Sequence, residues 1–86
     1  MEPKVIEGLT EGRIVHYVLE DSRNKGQHRP AVIVQVWDHG SGVSNLQVFT
    51  DGRNDGQFYA GGLAWKTSVC YSEDKEPGTW HWIEKA

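Results

Sequence analysis

The distribution of short apolar runs predicts an all-β domain, a small five-stranded antiparallel SH3-like barrel or a strongly bent sheet. Three observations carry this. The apolar runs are short and rich in β-branched or aromatic residues, and several alternate between two faces. Glycine-bearing turns separate them, and no segment shows the period of a helix. Closing such strands on one another removes the unpaired edges that would invite aggregation.

The 86 residues form one domain, 1–86, with residues 1–10 as an N-terminal arm that lacks a sustained period. Glu11-Gly12 turns the chain into a first strand, Arg13 to Leu19, and the polar run from Glu20 to Arg29 reads as a loop. Pro30 to Trp37 is a second strand, apolar on both faces, with Pro30 at its start where a missing N–H breaks no ladder bond. The turn Asp38-His39-Gly40-Ser41-Gly42 folds it back as an antiparallel hairpin onto a third strand beginning at Ser44. That third strand alternates Leu46, Val48 and Thr50 against Asn45, Gln47 and Phe49, then enters a loop with Asp51, Arg53, Asn54 and Asp55. Phe58 and Tyr59 lie in a glycine-rich stretch and are expected to plug one end of the barrel. Ala64 to Tyr71 is the fourth strand, with Trp65, Thr67 and Val69 on one face. Pro77-Gly78 fits a type II turn, and Trp80 to Glu84 is the fifth strand. The expected core is Ile14, Val18, Val32, Val34, Val36, Leu46, Val48, Val69 and one tryptophan face.

Composition bounds the function. A net charge of -3 weighs against non-specific nucleic-acid binding, which needs a basic surface to displace counterions. The single Cys70 excludes an internal disulfide and a cysteine-based zinc site, and it fits a reducing compartment. The opening residues, with Glu2, Pro3, Lys4 and Glu7, do not read as a signal peptide, and no run reaches membrane-spanning length. A cytoplasmic protein is expected. Four tryptophans exceed what one small barrel hides, so a homo-oligomer burying Trp80 or Trp82 is expected as well.

Two resemblances follow. Glu11-Gly12-Arg13-Ile14-Val15, followed by Gly26-Gln27-His28-Arg29-Pro30-Ala31-Val32-Ile33-Val34, resembles the opening of PemK-like endoribonuclease toxins. This match covers about a quarter of the chain. It implies an SH3-like barrel in which Arg29, with Thr67 or Ser68, takes part in RNA cleavage; the downstream spacing and the terminal helix of that family are not matched. A second resemblance rests on Gly12-Arg13-Ile14-Val15-His16-Tyr17-Val18, His28-Arg29-Pro30-Ala31, Asn45-Leu46-Gln47-Val48-Phe49-Thr50-Asp51-Gly52, Thr67-Ser68-Val69 and Pro77-Gly78-Thr79-Trp80-His81-Trp82. These stretches are similar to small accessory proteins of tailed bacteriophages. By analogy of size and context, several such proteins sequester nucleotide signals of bacterial immunity, and the compartment would then be the host cytoplasm.

Such sequestration needs a pocket and no catalytic group. Tyr17, Trp80, His81 and Trp82 are candidates to stack on bases, Asn45, Gln47, Asn54 and Asp55 to read base edges, and His28, Arg29, Arg53 and Lys66 to neutralise phosphate. A non-enzymatic role with no cofactor is expected. No spacing links His16, His28, His39 and His81 into a nucleophile or metal motif, and Asp51-x-x-x-Asp55 lacks the further oxygen ligands of a calcium loop, so no metal ligands are expected. The alternatives are an endoribonuclease-type barrel or a structural interaction module of a phage.

Overall fold

Five strands pair in sequence order and close into a barrel: β1 (Ile14–Val18), β2 (His28–Val36), β3 (Ser44–Phe49), β4 (Leu63–Tyr71) and β5 (Thr79–His81). The computed structural model describes residues 5–84, so residues 1–4 of the expected arm lie outside it. Within the remainder of that arm, Ile6 donates its N–H to the His39 carbonyl and Leu9 is buried, so this part packs on the barrel.

Neighbouring strands are antiparallel except for one closing seam. There β5 runs parallel to β4 over Cys70↔Thr79 and Tyr71↔Trp80, and antiparallel to β1 over His16↔His81 and Tyr17↔Trp80. The turn before β5 is the expected one: Thr79 donates to the Glu76 carbonyl, and Gly78 has φ +84°, which glycine adopts without steric cost. Strand five is shorter than expected, because Trp82 to Glu84 leave the ladder.

The core corrects the face assignment of β1. Val15 and Tyr17 point inward with Leu19, while Ile14 lies on the outer wall and is exposed. Val18 shares the outer register with Ile14 and is nevertheless fully buried. Two irregularities correct the other strands. Between Ile33 and Gln35 the β2–β3 register slips, leaving Val34 and Gln35 both exposed and returning Val36 to the core. In β4, Ser68 has φ +52° and donates its N–H to Asn45 Oδ1, resetting the alternation. Lys66 and Val69 therefore face inward opposite Leu46 and Ser44, while Trp65 and Thr67 face outward.

Trp80 is the largest fully buried side chain, and its indole N–H donates to the Gly42 carbonyl at 2.8 Å. It belongs to this chain's own core. The exposed tryptophans are Trp37 and Trp65. Phe58 and Tyr59 divide: Phe58 is 93% exposed and covers no core, whereas Tyr59 is buried.

Candidate functional site

Cross-strand register assembles a cluster that linear spacing does not display. His81 on β5 lies directly opposite His16 on β1, and Pro30 opposite His16 sets His28 one diagonal step away on β2. All three imidazoles stand on the outer wall, with ring centroids 4.6–5.7 Å apart. The chain leaving β5 then brings Glu84 over them. Its Oε1 lies 2.6 Å from His81 Nε2 and 2.8 Å from His16 Nδ1, and its Oε2 lies 3.3 Å from His28 Nδ1. Lys75 Nζ adds a contact to Oε2 at 3.4 Å. One donor atom from each of His16, His28, His81 and Glu84 falls within 4.8 Å of the others.

The electrostatics follow from this packing. The hydrogen bond from His16, then those from His81 and Lys75, hold the Glu84 carboxyl well below the usual carboxylate range. His81 is 3% exposed, and burial holds its pKa below the ordinary histidine value against the opposing pull of Glu84. Its Nδ1 is buried without a hydrogen-bond partner among the described residues.

A second assembly joins the loop between β1 and β2 to the Gly52–Asp55 3₁₀ turn. Asp55 is fully buried and accepts from Arg29, from Asn24 Nδ2 and from the Asp51 N–H. The Ser22 hydroxyl donates to the Asp55 carbonyl, and Arg23 donates to the Arg53 carbonyl. These bonds, that of Arg29 foremost, hold the Asp55 carboxyl far below its ordinary pKa. Arg29 also donates to the His28 carbonyl and to Gln27 Oε1, so its guanidinium is committed to the protein.

Two hollows border this turn. The first, about 410 Å³, is an open groove lined by residues including Gln27, His28, Phe49, Thr50 and Asn54. The second, about 400 Å³, is lined by Arg23, Arg53, Gln57 and Ala60. His28 thus belongs both to the histidine cluster and to the first groove.

The candidate residues named from sequence separate accordingly. Tyr17 and Trp80 are core side chains, closed to a ligand because their rings face the barrel interior. Arg29 and Asp55 neutralise each other. Asn45 is occupied as acceptor for Trp37 Nε1 and the Ser68 N–H. Lys66 points inward between the Tyr17 and Tyr59 rings, with its Nζ 3.1 Å from the Tyr59 hydroxyl and 3.7 Å from Asp21. The Tyr59 hydroxyl itself donates to Asp21. Gln47 is half-buried on the outer wall between Val32 and Trp65. Trp82 packs edge-on against Trp80 beneath the Arg13 guanidinium. Arg53 and Asn54 are exposed at the turn, and His28 and His81 join the cluster.

His16, one of the four histidines that no spacing linked, and Glu84, read as the end of a strand, are the members that sequence reasoning missed. The expected core placed Ile14 and Val18, and with them the phase of His16, on the inner face, so the pairing of His16 with His81 emerges only when the barrel closes β5 onto β1. Ser68 and Arg29 are not brought together: Ser68 bonds to Asn45 near the start of β3, whereas Ala31↔Val48 sets Arg29 toward its end. No family model, no curated protein and no solved structure matches the chain.

Proposed function

We propose that this barrel is a non-catalytic binding protein for a nucleotide-type small molecule, with sequestration of an immune signal by a phage-encoded chain as its most specific form. The observation that carries this reading is the pair of hollows meeting at one turn, the first at Asn54 and the second at Arg53. The first offers an exposed aromatic, Phe49, to stack on a base, with the Gln27 amide N–H and the Asn54 amide oxygen to read its edge; Gln27 Oε1, Asn54 Nδ2 and the Thr50 hydroxyl are already bonded to Arg29, Asp51 and the Tyr59 carbonyl. The second offers two guanidiniums, and Arg53 makes no salt bridge among the described residues, so it is available for phosphate. This moves the anion-binding role from Arg29 to Arg53 and Arg23.

Native mass spectrometry with cyclic di- and trinucleotides and cyclic ADP-ribose isomers tests the reading. The expected result is one of these retained unchanged at fixed stoichiometry, and lost in Arg53→Ala at an unaltered urea midpoint. Absence of any adduct rejects it, and release of smaller fragments favours the ribonuclease-type alternative.

A second reading, a self-associating interaction module, is favoured by the exposed outer row of Phe49, Leu63 and Trp65 across β3 and β4. A dimer that dissociates in Trp65→Asp, without loss of fold, supports it.

A further inference from the structure

We propose that His16, His28, His81 and Glu84 bind one divalent transition-metal ion of the zinc class. This site shares His28 with the first hollow, but its argument does not depend on the two-hollow reading.

Donor chemistry and geometry both favour such an ion. Three imidazoles and one carboxylate form a nitrogen-rich, oxygen-completed donor set suited to Zn²⁺ and its neighbours, whereas calcium and magnesium take oxygen ligands. A tetrahedral ion with ligand bonds of about 2.0–2.1 Å needs donors about 3.3–3.4 Å apart. The four donor atoms already fall within 4.8 Å of one another, with Glu84 somewhat too close to His16 and His81 at 2.8 and 2.6 Å. Seating the ion therefore requires Glu84, the exposed ligand, to move outward from His16 and His81 and the more widely spaced donors to close toward about 3.4 Å by side-chain rotation. The three histidines come from three adjacent strands whose register is set by the core beneath, so their spacing is pre-organised.

One further feature fits an ion better than a simple carboxylate–histidine latch. One carboxylate with two oxygens serves three imidazoles and Lys75, leaving more nitrogen donors gathered than a latch requires. His81, almost fully buried, turns Nε2 toward Glu84 and the other donors, so the nitrogen that faces the cluster is the one that would coordinate, while its Nδ1 has no partner among the described residues with or without an ion. Lys75 at Glu84 Oε2 then acts as an outer partner that orients the carboxylate.

The test uses the full chain without a polyhistidine tag, carrying Cys70→Ser to remove the exposed thiol, stripped by chelator and titrated with Zn²⁺ by calorimetry and native mass spectrometry. One ion per chain is expected, with a raised melting temperature and intense visible bands on Co²⁺ substitution. His16→Gln and His28→Gln, both at half-buried wall positions, are each expected to weaken binding on the order of 100-fold. His39→Gln, on an exposed turn, is expected to leave binding unchanged. Imidazole ¹⁵N resonances of the unmutated histidines, shifting in step with the first equivalent, give a readout that needs no variant to fold. Failure to bind Zn²⁺ or Co²⁺, or binding insensitive to both glutamine variants, overturns the proposal. Because no nucleotide is present, that failure leaves the two-hollow reading untouched.

Discussion

Arg29 and Asp55 are joined by two parallel hydrogen bonds, Nε to Oδ2 at 2.8 Å and Nη2 to Oδ1 at 2.6 Å, across 26 residues of sequence. The pair ties the start of β2 to the Gly52–Asp55 turn, with the carboxylate fully buried and Asn24 and the Asp51 N–H supplying further donors. Removing one partner strands the other charge out of water. Asp55→Ala is expected to cost about 3–5 kcal/mol in urea unfolding, a large share of what a domain this size has. Arg29→Ala is expected to act through the same loss of stability, and replacing both residues to cost less than the sum.

The same carboxylate sets an acid limit. Its folded pKa lies below the unfolded value of about 3.9, so its contribution is fully present above that value and is lost as pH falls toward the folded pKa. Urea midpoints measured from pH 6 to pH 2 are expected to fall most steeply below about pH 4. In Asp55→Asn that part of the fall is expected to flatten.

Trp80 and Gly42 make a second close relationship. The indole N–H donates to the Gly42 carbonyl, and Gly42 itself, at φ +83°, faces Ile6 and Tyr71. A Cβ added there would lie 2.7 Å from Ile6 Cδ1 and 2.7 Å from Tyr71 Cβ, so Gly42→Ala combines backbone strain with overpacking. A loss of about 2–4 kcal/mol is expected by thermal or urea denaturation. Gly12→Ala, at φ +93° with nothing within 4 Å of the new Cβ, is expected to lose only the backbone part.

Adjacent aromatics provide an internal contrast. Phe58 is almost wholly exposed, and Phe58→Ala is expected to change stability by no more than about 0.5 kcal/mol. Tyr59→Phe removes the hydroxyl that bonds Asp21 and meets Lys66, leaving the inward-facing ammonium with one fewer partner. It is expected to cost about 1–3 kcal/mol, measured in the same titration.

Much of the strand framework was legible locally. β-branched alternation located β1 to β4, and the residues of the Pro77-Gly78 turn carry their own dihedral preferences, so these elements depend on neighbours along the chain. Val34 and Trp65 were misassigned because one extra residue in a strand reverses every later side chain, and nothing in Val34-Gln35 or Thr67-Ser68 announces a bulge. Arg53 and Asn54 were visible as chemistry in one loop after a strand that carries Phe49, but that Arg29 is spent on Asp55 was not.

The sequence by itself therefore determined an all-β chain of short strands and the turns that separate them, because period-two burial and turn chemistry are local properties. Only the tertiary structure decided which side chains share a site. His16, His28, His81 and Glu84 span 69 positions, from 16 to 84, and meet because closing β5 onto β1 makes distant residues cross-strand neighbours. That convergence is a property of register, which is set by how Trp80, Tyr17 and Leu46 pack together in the core.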